Sequence, residues 1–153
     1  MATTTVTPDH DTITSEIEIA APPERVFRAL TDAAEVRRQN PNLDVYEMDV
    51  RVGGLWRMEM RMSPPYHGVS VIHHGGEILE IDPPRLLVYT WTANFHSNPN
   101  HRSIVRWELT PTKSGTHLKV MHSGLAAEPA ASKDYAGGWP GVLTKIKNDI
   151  ESK

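Results

Sequence analysis

Apolar and polar side chains alternate one for one in stretch after stretch of this chain. A period of two marks β-strands with one buried face, and it constrains the fold more than any other feature. In "LWRMEMRM", Trp56, Met58, Met60 and Met62 fall on one side, and Arg57, Glu59 and Arg61 on the other. "LLVYTWT" groups Leu87, Tyr89 and Trp91. "SIVRWELTP" sets Val105, Trp107 and Leu109 against Arg106 and Glu108, and "THLKVMHSGL" sets Leu118, Val120 and His122 against Lys119 and Met121. "ITSEIEI", from Ile13 to Ile19, alternates likewise. A further strand is expected over about Val69 to Ile81, between the turn "SPPYHG" and the break "DPPR".

The period changes twice. "APPERVFRALTD" carries a single apolar stripe, Val26, Phe27 and Leu30, behind prolines 22 and 23 that suit a first helical turn. Asp32 is placed to cap a second short helix of roughly Ala33 to Arg38, which "QNPN" ends. Near the C-terminus, Trp139, Leu143, Ile146 and Ile150 step by four, three and four along "GGWPGVLTKIKNDIE", while Lys145, Lys147 and Asp149 point away. Proline is tolerated at a helix start and disruptive inside, so Gly137, Gly138 and Pro140 predict a kink or a loosened first turn, with the helix beginning here or from about Ala131 to Tyr135. A loose start at a cavity mouth would serve as a gate. The predicted class is α+β: one long helix across a curved antiparallel sheet, with two short helices after the first strand. One domain over residues 12–152 is expected, behind a disordered polar tail over residues 1–11.

Composition removes several functions. The 16 basic and 19 acidic residues nearly cancel and form no basic block, so nucleic acid is not an expected partner. Absence of cysteine removes disulfides, thiolate nucleophiles and cysteine-based zinc sites, and suits a reducing compartment. The polar N-terminus reads as neither signal peptide nor membrane span, so a cytoplasmic protein without a membrane-spanning segment is expected. No phosphate loop or dinucleotide fingerprint is present, and no cofactor is expected.

Taken in order, "APPERVFRALTD", "VGG" before alternating large apolar residues, "GGEILEIDPPRLLVYTW", "VRWELTP", "GTHLKVMHSGL" and "GGWPGVLTKIKNDIE" resemble the activator-of-Hsp-90-ATPase-like branch of the START-related SRPBCC superfamily, over about residues 12–152. The resemblance implies the helix-grip fold, a seven-stranded antiparallel sheet gripping the C-terminal helix with a cavity between them. It also implies binding of lipid-like or other hydrophobic ligands, in a role connected with stress, with cyclisation in some relatives. The co-chaperone of the family name uses a separate N-terminal domain, so stimulation of a chaperone ATPase is not expected here.

The residues point to the same cavity. Alternation and the helical stripe gather Trp56, Met58, Met60, Met62, Ile78, Leu87, Tyr89, Trp91, Val105, Trp107, Leu118, Val120, Trp139, Leu143 and Ile146 on one interior surface. A single helix cannot cover a broad curved sheet, and methionine makes an adaptable wall. His73 and His74 are strand neighbours, so one points in and one out. The resemblance supplies an anchor, the family-like "GxIxE" pattern, which turns His74 inward with Gly76, Ile78 and Glu80; a register error or a bulge at Gly75–Gly76 would exchange the pair. His122 is its nearest metal-ligand companion, with His96 and His101 on a loop, but the spacing matches no metal motif and no metal is expected. His10, His67 and His117 read as surface residues.

Three functions follow. A small apolar or amphipathic molecule binds in the cavity of a monomer or homodimer; or His122 and Tyr89 run a cofactor-free cyclase- or hydrolase-type reaction; or a filled core serves as a protein-interaction module.

Overall fold

The computed structural model describes residues 2–152. In chain order its elements are β1 (Thr3–Val6), β2 (Ile13–Ile19), α1 (Pro23–Thr31), α2 (Ala33–Gln39), β3 (Leu43–Met48), β4 (Leu55–Tyr66), β5 (Val69–Asp82), β6 (Leu86–Ala93), β7 (Ser103–Pro111), β8 (Thr116–Ser123) and α3 (Pro129–Glu151). The strands form one antiparallel sheet in the order β1-β2-β8-β7-β6-β5-β4-β3, and α3 crosses its inner face. This is the expected helix-grip architecture with eight strands among the described residues instead of seven.

The extra strand corrects the expectation of a disordered tail over residues 1–11. β1 runs antiparallel to β2 with Thr3 opposite Glu16 and Val6 opposite Ile13. Its side chains are mostly exposed, so no apolar face announces it in the sequence; backbone pairing to the edge of β2 makes the strand. β3 is also hidden from the alternation pattern. A register shift between Leu43 and Val45 breaks its period, and Leu43 and Tyr46, three apart, are its buried residues.

Two boundaries move. "SPPYHG" is mostly strand: β4 runs to Tyr66, its ladder interrupted between Arg61 and Tyr66, where Pro64 and Pro65 have no N–H to donate. The turn is His67-Gly68, with φ of 51° and 77°, the paired positive angles of a two-residue hairpin. α3 begins at Pro129 and continues through Gly137, Gly138 and Pro140, so the loosened start expected at that run is absent.

The inward phase of β5 changes part-way. Met58 lies opposite His74, and His74 opposite Ala93, so His74 faces the core while His73 faces out. A register shift between Ile78 and Glu80 then turns Glu80 outward, against the inward expectation, where its carboxylate lies 3.7 Å from Arg106. Gly76 is required near this bulge: a Cβ there would stand 2.0 Å from the Thr90 carbonyl oxygen, which also accepts the Trp56 indole N–H at 2.9 Å. The outer face is charged as expected, with Arg57 paired to Glu47 and Glu59, Arg61 to Asp44 and Arg106 to Glu108.

Helix placement decides where space is left. α3 approaches β2 and β1 at one end of the sheet and also touches α1 and α2. Leu143 and Ile150 of α3 close into solid core with Ile13, Ile17, Leu87, Val105, Leu118 and Val120 of the sheet. At the other end, Met58, Met60 and Met62 on β4 remain only half-buried.

Candidate functional site

Trp139, projecting from the middle of α3, divides the interior. Its ring centroid lies 5.7 Å from that of Trp91 and 5.6 Å from that of Trp107, and the indole is 6% exposed. On one side is an inner cavity of about 110 Å³ between the sheet, α3 and the two short helices. Trp56, Tyr89, Trp107 and Ile146 line it with Leu30, Val36, Gln39 and Tyr46. On the other side an outer groove of about 230 Å³ opens between β4 and α3, walled by Met62, Tyr66, Ile72, His74, Phe95, Asp134, Tyr135 and Gly138. Met58, Met60, Trp91, Trp139 and Val142 are common to both walls.

The expected site residues therefore separate into two sets. Trp56, Met58, Met60, Met62, His74, Tyr89, Trp91, Trp107, Trp139 and Ile146 border one space or the other. Ile78, Val105, Leu118, Val120, His122 and Leu143 border neither, because each is fully buried in closed core. Tyr66, Phe95, Asp134 and Tyr135 are groove residues that alternation did not flag. For the three aromatic residues the sequence signal is a ring standing alone in a polar segment, as in "ANFHSNPNHR" and "SKDYAGG", and Asp134 has none.

His122 is a structural hub. It is fully buried, and its Nδ1 accepts the Trp139 indole N–H at 3.2 Å. Nε2 consequently carries the proton and donates to Ser103 Oγ at 2.7 Å, and that hydroxyl donates to the Trp91 carbonyl at 3.2 Å. Burial, reinforced by His74 and His96, pushes the imidazole down to about 3. Tyr89 spends its hydroxyl as acceptor for the Trp107 indole N–H at 2.9 Å, and burial pushes its phenol up. Each hydroxyl and ring nitrogen serves a neighbour in the core, and no hydrogen bond joins His122 to Tyr89 among the described residues. Replacing His122 with Ala is accordingly expected to lower stability by about 3 kcal/mol, through an unfilled hole and two unpaired polar groups. Urea denaturation measures this; a catalytic His122 would leave stability nearly unchanged.

The groove has few polar features. His74 Nδ1 lies 3.2 Å from the Thr92 carbonyl oxygen, and burial pushes this imidazole also to about 3. Tyr135 Oη accepts from the Trp91 indole at 2.9 Å and lies 2.6 Å from His96 Nε2. At the rim, Asp134 holds His67 at 2.7 Å, and burial together with Asp134 raises the Tyr66 phenol. His117 is bridged between Glu16 and Glu18 on the outer face, and His101 donates to the Gly124 carbonyl. No group of three or more His, Cys, Asp or Glu side chains able to hold a metal occurs among the described residues. No helix among them is long and apolar enough to cross a membrane.

The family model for activator of Hsp90 ATPase homolog 1-like proteins matches residues 20–151. The chain belongs to this family. No curated protein matches this activator-homolog-like chain. Among solved structures it is similar to protein MLL2253 of Mesorhizobium loti, at 28% identity and a TM-score of 0.72, covering 93% of this chain and 98% of that one. Protein CV1439 of Chromobacterium violaceum is similar at 26% identity and a TM-score of 0.73, covering 90% and 95% respectively. CalU16 of Micromonospora echinospora, at 21% identity and a TM-score of 0.67 over 98% of this chain and 81% of that one, shares the fold.

Proposed function

We propose that this protein binds a small apolar or amphipathic molecule in the groove between β4 and α3, without a cofactor. One observation carries the reading: Met58, Met60, Met62, Tyr66 and Phe95 stay half-buried around open space between β4 and α3. Apolar surface left in water forgoes about 25 cal/mol per Å², so a guest that covers these side chains is stabilised. Thioether walls adapt to its shape. The catalytic alternative draws no support from His122 and Tyr89, whose polar atoms are engaged within the core. An interaction module with a filled interior fits the groove less well than a guest does. The cysteine-free sequence suits the reducing cytoplasm, where this reading places the protein as a monomer or homodimer.

Thermal unfolding in the presence of naphthalene-type probes tests the reading. A ligand at a hundred times its Kd adds about 2.7 kcal/mol, which for a chain of this size raises Tm by about 5–10 °C. An unchanged Tm across apolar ring compounds up to their solubility limits would overturn it.

A further inference from the structure

One polar atom in the groove lacks a partner. His74 is 8% exposed, and its Nδ1 lies 3.2 Å from the Thr92 carbonyl oxygen. A carbonyl oxygen only accepts, so Nδ1 carries the proton and Nε2 keeps its lone pair. That nitrogen has no hydrogen-bond partner among the described residues, and its ring lines the groove. Nε2 opens onto the groove rather than being sealed in the core, so a guest that covers it without supplying a donor strips it of water and leaves it unpaired, whereas a guest that supplies the donor avoids that penalty.

The surroundings narrow the guest further. The Trp91 ring centroid lies 4.4 Å from that of His74, and Phe95 meets His74 edge-on at 5.9 Å. Flat aromatic walls favour a ring over a flexible chain through offset and edge contacts. The volume of about 230 Å³ falls below the roughly 300–1,000 Å³ typical of pockets for drug-sized ligands, so the ring system is small. Among the described residues no lysine or arginine lines the groove, and the carboxylate at its mouth, Asp134, opposes an anion.

We propose that the groove selects small, uncharged aromatic molecules bearing a hydroxyl group, which donates to His74 Nε2 while the ring lies against Trp91, Phe95 and the β4 methionines. This rests on the binding function proposed above and names its ligand class. His74 is the specificity-determining residue. Burial that holds its imidazole neutral keeps the lone pair available at neutral pH.

Three probes of one shape test the proposal by calorimetric titration: 2-naphthol, 2-methoxynaphthalene and 2-naphthoate. The expected order is 2-naphthol tightest, 2-methoxynaphthalene about fivefold weaker for want of a donor, and 2-naphthoate weaker by tenfold or more. In His74→Phe the difference between naphthol and its methyl ether should vanish. In the wild-type protein, the ¹⁵N resonance of His74 Nε2 should move from its unbonded position on adding 2-naphthol and stay in place with the ether, a readout that needs no variant. Equal affinities for naphthol and ether, or a preference that survives His74→Phe, would overturn the proposal and leave the binding function standing. Binding of none of the three would overturn the binding function itself.

Discussion

Acidification from pH 7 to pH 5 should remove about 4 kcal/mol of stability before most carboxylates titrate. His74 and His122 are buried neutral, and desolvation pushes each from 6.5 to about 3 in the folded protein. In the unfolded chain both take up a proton as the pH drops below 6.5. The unfolded state therefore binds more protons than the native state between pH 6.5 and about 3. Their stabilisation is complete above pH 6.5 and is lost progressively as the pH falls through that window. At pH 5 each imidazole is about 1.5 pH units below its unfolded pKa, worth about 2 kcal/mol apiece. His96, also lowered by burial, acts in the same direction. His117 acts oppositely, because its bonds to Glu18 and Glu16 raise its pKa; it gains as the pH falls, and its partly exposed position keeps that gain small. Natural domains hold only about 5–15 kcal/mol in total, so a loss of 4 matters. Urea midpoints should fall by about 2 M between pH 7 and pH 5. NMR titration should show both rings neutral for as long as the fold persists. A midpoint that stays level, or a His122 resonance titrating near pH 6 in the folded protein, would contradict the buried placement of these rings.

The second large effect concerns the partition. Trp139→Ala should destabilise the protein by about 3–5 kcal/mol, the usual range for deleting a buried tryptophan. It removes contacts with Trp91 and Trp107 and leaves His122 Nδ1 without its donor. It should also join the inner cavity to the outer groove, since Trp139 stands in the wall of both. A folded variant should then bind four-ring pyrene more tightly than the wild-type protein does. Trp139→Phe keeps most of the wall and should lose stability mainly through the missing N–H. A loss below about 1 kcal/mol in Trp139→Ala, with no change in the size of guest admitted, would show that the indole divides nothing.

How much the sequence reveals depends on which physical quantity each feature follows. Alternation reports a face, and it assigns β6, β7 and β8 correctly because one side of each must be dry; it sets His73 and His74 on opposite faces without saying which turns inward. It fails where the period is interrupted: at the Leu43/Val45 shift that conceals β3, and at the Ile78/Glu80 shift that sends Glu80 to the surface. It is silent on β1, whose existence follows from backbone pairing alone. Alternation also gives no depth. Val105, Leu118 and Val120 share a face with Met58 and Met60, yet the first three are sealed core while the methionines border open space. That difference follows from the long-range approach of α3 to β2, which no local pattern encodes. Phe95 and Tyr135 reach the groove from a connecting loop and an early turn of α3, positions fixed by tertiary packing.

Methyl ¹³C NMR of methionine-labelled protein, titrated with 2-naphthol, tests most directly whether the space beside α3 receives a guest. Met58, Met60 and Met62 line the groove, whereas Met121 alternates to the outer face of β8. Ring-current shifts at the three β4 methyls, saturating together while Met121 stays fixed, are the expected result. Saturable shifts at Met121 with the β4 methyls unmoved, or no saturable shift at any of them, would mean that the groove is not where this protein binds.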